Sequence, residues 1–289
     1  MKNFKKILAI VVIICLSVFK IQAQESTNSL LWKVEGNGIQ TSYVFGTFHM
    51  LPKEEFILKD KVKDALNATA LTVLELDMDD PSMQSEMMKY SALPEGKTLL
   101  DYMESDEATT IDSYLKEKVG VGLDQFKNYK PLMVSSMVMM GYLGKDFASY
   151  ETTLITLTKE HQKEIKGLET IAYQMSLFDK QPYDEQLDDV VKLLKEKESM
   201  STMFNSMIAL YKKEDINGLY EFMDDYFDHD VQKMNALLHT RNSNWIPQIG
   251  AYSKDTSVFY GVGAGHLGGD LGVINLLKKA GYTLTPVTE

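Results

Sequence analysis

Two patterns alternate along this chain. Short runs of apolar, β-branched and aromatic residues are separated by longer stretches whose apolar positions recur every three or four residues. The first pattern marks buried strands and the second amphipathic helices. Residues 30–34 and 41–45 read as two strands joined by a Gly36-Asn37-Gly38 turn. Leu58, Val62, Ala65 and Leu66 then share a helical face, and residues 70–76 form a near-continuous apolar strand that ends in acid at Glu75. Strand, helix, strand makes a βαβ unit with parallel strands and a right-handed crossover. A second such pattern closes the chain. An apolar strand begins at Ser257, and Asp270 stands as N-cap to a helix with Val273, Leu276, Leu277 and Ala280 on one face, ended by Gly281. Between these units the sequence is mostly helical, except for a short strand over 164–170 that ends in Glu169 and leads into a helix through Gln174 and Phe178. The expected fold is α/β of mixed α+β type: a central mixed sheet, βαβ units at both ends of the chain, and a large helical insertion around 81–252.

The first 23 residues follow neither pattern. Lys2, Lys5 and Lys6 precede an apolar stretch over 7–19, and Ile21-Gln22-Ala23 offers a small residue for cleavage. This is the layout of a signal peptide and is too short for a membrane span. The mature chain is therefore expected to start near Gln24, to form one domain over 24–289, and to work in the periplasm or outside the cell with no stable membrane insertion. Four lysines, no acids and the lone Cys15 leave with the leader, which takes the net charge from −11 to −15. That balance argues against nucleic acid and anionic membranes as partners. Without cysteine, no thiolate is present as nucleophile or metal ligand.

Candidate chemistry gathers at the strand ends. Gly46-Thr47-Phe48-His49 and Gly263-Ala264-Gly265-His266 are two Gly-x-x-His turns, each following a β-type run, and they hold two of the chain's five histidines. In open α/β sheets the carboxyl edge is where ligands bind. Gly263, Gly265 and Gly268 also spell a dinucleotide fingerprint, but only 21 residues follow Gly268, with no acidic end of a second strand among them. Parallel strands bring Glu75 to the edge that carries His49. Asp77 has the same side-chain parity and stands as its alternative, and Glu169 repeats the logic of Glu75. Arg241 is the only arginine in a chain that otherwise uses lysine. A planar fork suits the orientation of a carboxylate or the steadying of an oxyanion. Met133, Met137 and Met140 read as core or as a soft groove, and His161 and His229 as surface.

These pieces together resemble the TraB/GumN family, related to the Tiki metalloproteases. The resemblance rests on residues 44–49, 73–76 and 167–170 with Gln174, on Arg241 and Asn242 with Trp245, and on 263–267 running through 272–274 to Gly281 and Tyr282. Tyr150-Glu151 departs from it, standing where the family has a Gly/Val-Asp pair. The resemblance implies a mixed α/β fold with a helical insertion, and a divalent-metal-dependent hydrolase site containing both histidines, a glutamate and an arginine. In this expectation His49 and His266 are metal ligands, Glu75 is ligand or general base, Glu169 is a second acid, and Arg241 is an oxyanion or carboxylate clamp. Imidazoles with carboxylates suit Mn²⁺, Co²⁺ or Zn²⁺. The expected function is an exported metal-dependent hydrolase cleaving peptide bonds, with ester cleavage open to the same chemistry. The alternative is a non-catalytic protein that sequesters a peptide or small ligand in the same cleft.

Overall fold

Residues 28–195 and 197–288 are described by the computed structural model; the leader expected at 1–23 lies outside them. Strands β1 (Leu31–Glu35) and β2 (Ser42–Thr47) pair antiparallel, with Leu31 opposite Phe45. Gly36, Asn37 and Gly38, all at positive φ, turn the chain between them. A short β3 (Leu51–Pro52) precedes α1 (Asp60–Ala68), which buries Val62, Ala65 and Leu66. Leu58 lies just ahead of that helix and packs on the core from the loop. Strand β4 (Leu71–Leu76) follows.

The helical layer then begins with α2 (Met83–Ser91), α3 (Ser105–Lys118) and α4 (Pro131–Leu143). A two-residue β5 (Phe147–Ala148) pairs with β3 and leads into α5 (Tyr150–Glu160). Strand β6 (Glu164–Glu169) returns to the sheet, followed by α6 (Ile171–Phe178), α7 (Tyr183–Lys195), α8 (Lys197–Lys212) and α9 (Ile216–Tyr226). Helix α10 (Val231–Met234) runs through a π-helical turn, Asn235–His239, into α11 (Thr240–Ser253). The chain ends with β7 (Val258–Gly263), α12 (Val273–Lys279) and β8 (Thr283–Pro286).

The six-stranded sheet has the order β6-β4-β7-β2-β1-β8. Its first four strands are parallel, and β1 runs antiparallel to both β2 and β8, so the sheet is mixed as expected. The strands of the first βαβ unit are parallel but are not neighbours, because β7 lies between β2 and β4 and pairs with both. Val258, Phe259 and Tyr260 are fully buried, as a central strand covered on both faces requires. The cap expected at Asp270 is not made. Gly269, at φ 75°, turns the chain, and Gly272 is the N-cap of α12.

Apolar side chains form two cores. One joins the sheet to α1, α11 and α12; the other holds together α3, α4, α7 and α8 through residues such as Ile111, Val134, Leu187 and Phe204. Phe48 packs against both. Met137 packs on the helical core, while Met133 and Met140 are half-buried. Glu214, between α8 and α9, accepts hydrogen bonds from the Leu30 amide, Lys59 and the buried Lys61, and so ties the helical layer to the sheet. Among the described residues no helix is long and apolar enough to cross a membrane.

Candidate functional site

Because β6, β4, β7 and β2 are parallel neighbours in that order, their carboxyl ends lie side by side. Glu169, Glu75, the turn after Gly263 and His49 therefore share one edge. The two Gly-x-x-His turns interlock there. A side chain on Gly46 would run into Leu267 at 2.8 Å and stand 3.1 Å from Ala264 Cα, both in the second turn. A side chain on Gly263 would stand 3.3 Å from Glu75 Oε1, 3.5 Å from His266 Cδ2 and 3.7 Å from His49 Nε2. Each glycine thus makes room for the other motif, and the two histidines and Glu75 converge on the position that a side chain on Gly263 would fill. Helix α9 covers the second turn, with Met223 Sδ pressed against Gly265 and the Tyr220 ring against Gly269.

Arg241 organises the floor of this cleft. Its Nε donates to both oxygens of Glu169 at 3.0 and 3.1 Å, and Nη2 donates to Glu75 Oε2 at 2.6 Å and Glu169 Oε2 at 2.8 Å. Nη1 donates to the Leu237 carbonyl and meets His266 Nε2, each at 3.0 Å. All five guanidinium N–H groups are engaged within the protein. Leu237 belongs to the π-helical turn, a distortion that recurs at functional sites. Glu169 also accepts from Trp245 Nε1 at 2.9 Å and Gln174 Nε2 at 3.0 Å, which leaves neither oxygen free. Glu75 accepts from Gln174 at 3.2 Å and, through Oε1, from the Gly263 amide at 2.8 Å. The Trp245 ring lies tilted against His266, with ring centres 4.5 Å apart.

A family model described as the TraB/PrgY/gumN family matches residues 30–286, nearly the whole described chain. The chain belongs to the TraB/PrgY/gumN family. Similar proteins include Metalloprotease TIKI2 of Xenopus tropicalis, 23% identical over 319 residues that cover 90% of this chain and 60% of that protein. Metalloprotease TIKI1 of Homo sapiens is 21% identical over 316 residues, covering 90% and 62%. The chain thus spans about 60% of the length of these relatives. No solved structure gives a match.

The charges of this TraB/PrgY/gumN site are set by its geometry. Burial opposes ionisation of Glu75, but His266, Arg241, His49 and the Gly263 amide prevail and hold its carboxyl down to about 2. Burial is the main reason that His266 is pushed down to about 3, with Arg241 and His49 acting the same way against Glu75. His49 goes the other way. Crowding around the ring disfavours its charge, yet the hydrogen bond and charge of Glu151, with Glu75, raise it to about 9. Since 67% of the His49 side-chain surface is open, solvent tempers that shift without reversing it.

Two imidazoles and an ionised carboxylate facing one space are donors that fit a first-row divalent ion in kind. No group of three His, Cys, Asp or Glu side chains among the described residues already stands close enough to hold one. The Arg241 bond to His266 Nε2 is the contact an ion would replace. Two further polar residues belong to the cluster. Glu151, at the start of α5, bonds His49 Nδ1 at 2.8 Å, and Asn242 Oδ1 bonds His266 Nδ1 at 2.6 Å. Glu151 is flagged by the sequence only where Tyr150-Glu151 departs from the family pattern, and no role is read for it there. Asn242 is signalled beside the unique arginine as part of the family resemblance, without a role of its own. Asp77 stands against Asp79 rather than in the cluster. His161 closes α5, and His229 bonds Asp224; both are exposed.

Proposed function

We propose that this chain is an exported, divalent-metal-dependent hydrolase that cleaves peptide bonds. The observation that carries the proposal is the convergence of His49 Nε2, Glu75 Oε1 and His266 on the space that Gly263 leaves open. The relatives named metalloproteases supply the reaction class. His49, His266 and Glu75 would hold the ion, which would supply Lewis acidity toward a carbonyl oxygen and lower the pKa of a water.

The remaining roles follow from hydrogen-bond capacity. Glu75, held ionised at about 2, is a poor proton acceptor near neutrality and suits the ligand role better than that of general base. Glu169, with both oxygens bonded, is a clamp for Arg241 rather than a second acid. Arg241 orients the two carboxylates, and the one N–H it gives to His266 Nε2 is the one that would be released if that nitrogen held the ion. The lysine-rich leader motivates the assignment to the periplasm or the cell exterior.

Metal analysis of the mature protein, followed by a peptide-library digest with and without chelator, tests the proposal. Bound divalent metal and chelator-sensitive cleavage are expected, and His49→Ala or His266→Ala should lower both. Cleavage indifferent to chelator would refute the metal role. Tight peptide binding with no turnover would point to sequestration instead.

A further inference from the structure

The two histidines are oriented by different chemical groups. Behind His49 stands a carboxylate. Glu151 Oε1 lies 2.8 Å from Nδ1, and its other oxygen accepts from Ser149 Oγ at 2.9 Å. Glu151 sits in the first turn of α5, where the helix N-terminus favours a negative charge. An ionised carboxylate only accepts hydrogen bonds, so the Nδ1 that faces it carries a proton. The same ring's Nε2 is the atom turned toward Gly263.

Behind His266 stands an amide whose orientation is fixed by its other contacts. Asn242 Nδ2 donates to the carbonyl oxygens of Leu271, at 2.9 Å, and His266, at 3.3 Å. Turning the amide over would set its oxygen against two carbonyl oxygens. Oδ1 therefore faces His266 Nδ1, and that nitrogen carries the proton. Across the ring, Nε2 has a lone pair, which takes the Nη1–H of Arg241. Every donor around His266 thus meets an acceptor, and the opposite tautomer would break two contacts at once.

We propose that Glu151 and Asn242 are positioning residues, which fix His49 and His266 in their neutral forms as a matched pair with protons on Nδ1 and lone pairs on Nε2, that of His49 turned toward Gly263 and that of His266 turned to Arg241 beside Glu75. The two partners differ in charge. A carboxylate behind a ligating imidazole raises its basicity more than an amide does, so His49 is the stronger donor of the pair. The effect on ion affinity rests on the metal-site proposal above; the tautomers do not.

Long-range ¹H–¹⁵N correlation spectra of the metal-free mature protein, recorded at alkaline pH where both rings are neutral, test the pair directly. Both rings should show the Nδ1–H signature, assigned through His49→Gln and His266→Gln. Zn²⁺ affinity, measured by competition with a chromophoric chelator, supplies the second readout. Glu151→Gln keeps an acceptor oxygen, so the His49 signature should survive while affinity falls about 10–100-fold. Glu151→Ala should lose both, and a purely structural role for Glu151 would not separate the two variants. The proposal is overturned if either wild-type ring carries its proton on Nε2, or if both Glu151 variants bind Zn²⁺ as tightly as wild type. Matched Nδ1–H signatures in a wild-type protein that binds no Zn²⁺ would sink the metal site and leave the positioning intact.

Discussion

Replacing Arg241 with methionine removes a guanidinium whose five N–H groups meet two carboxylates, an imidazole and a carbonyl. The side chains of Glu169 and Glu75 keep only 4% and 13% of their surface exposed, so their charges would remain in a poorly solvated cleft. Breaking a buried ion pair by deleting one partner costs about 3–5 kcal/mol. Here two carboxylates share one cation, so Arg241→Met is expected near the upper end, at about 5 kcal/mol. Arg241→Lys keeps the charge but replaces a fork with a point. Losing one or two charge-assisted bonds at about 1.5–3 kcal/mol each, it should cost about 3 kcal/mol. Urea unfolding followed by tryptophan fluorescence reads both values. Trp245 is fully buried against His266 and Arg241, and a Trp32→Phe background leaves it as the only fluorophore of its kind. The deficit also depends on pH. Glu75 is held at about 2, below its unfolded value, so the clamp's contribution is complete above an unfolded carboxylate pKa of about 4.3 and is lost as pH falls toward 2. The gap between wild type and variant should be widest near neutrality and close in acid. A neutral-pH gap under about 1 kcal/mol, or one that pH does not change, refutes the clamp.

Two further outcomes are expected. Gly263→Ala places a methyl 3.3 Å from Glu75 Oε1 and in ordinary contact with both histidines, at a backbone φ of −52° that alanine adopts freely. Thermal melting should stay within about 1 kcal/mol of wild type while divalent-ion affinity and turnover fall, and unchanged ion binding would show that the space above Gly263 is not the site. Glu214→Gln strips the charge partner from Lys61, whose side chain is only 4% exposed, and should cost about 3 kcal/mol in a urea melt at neutral pH. Burial works against the Glu214 charge, but Lys59, Lys61 and the Leu30 amide lower its carboxyl below the usual value. That stability is present above the unfolded carboxylate pKa and disappears as pH drops, so a deficit persisting unchanged in acid would contradict it.

What could be read in the sequence was what depends on local pattern. Strands buried on both faces are continuous apolar runs, so β2, β4 and β7 and the chemistry at their ends stood out; the edge strand β6, with Glu164, Lys166 and Glu169 along it, showed only as a short strand ending in acid. The βαβ rule brought His49 and Glu75 to one edge without any knowledge of strand order. The order itself was not legible. Nothing local to Val258–Gly263 says that this strand inserts between β2 and β4 rather than beside them. Glu151 stood out only as a departure within the family resemblance, and nothing local joins it to His49, 102 positions away. Asp270 shows the reverse error. Its cap signal is genuine, but Gly269 redirects the chain and Gly272 takes the position. The unique arginine was visible as an oddity of composition, and only the fold shows its whole fork spent on protein groups.

Phe48 gives the cleft unequal walls. Its ring packs edge-on against Tyr211 at 5.3 Å and belongs to the sheet core and the helical core alike. His49 is the next residue, so it hangs from a joint between two separately packed bodies. His266 is enclosed between the sheet and α9, with Asn242 and Arg241 on either side of its ring. A shift of the helical core against the sheet core therefore acts on His49 through Phe48, while α9 and α11, which hold His266, pack with the sheet through Ile216, Leu219, Trp245 and Ile249. A substitution in the helical core thus has a route to His49 that does not pass through His266.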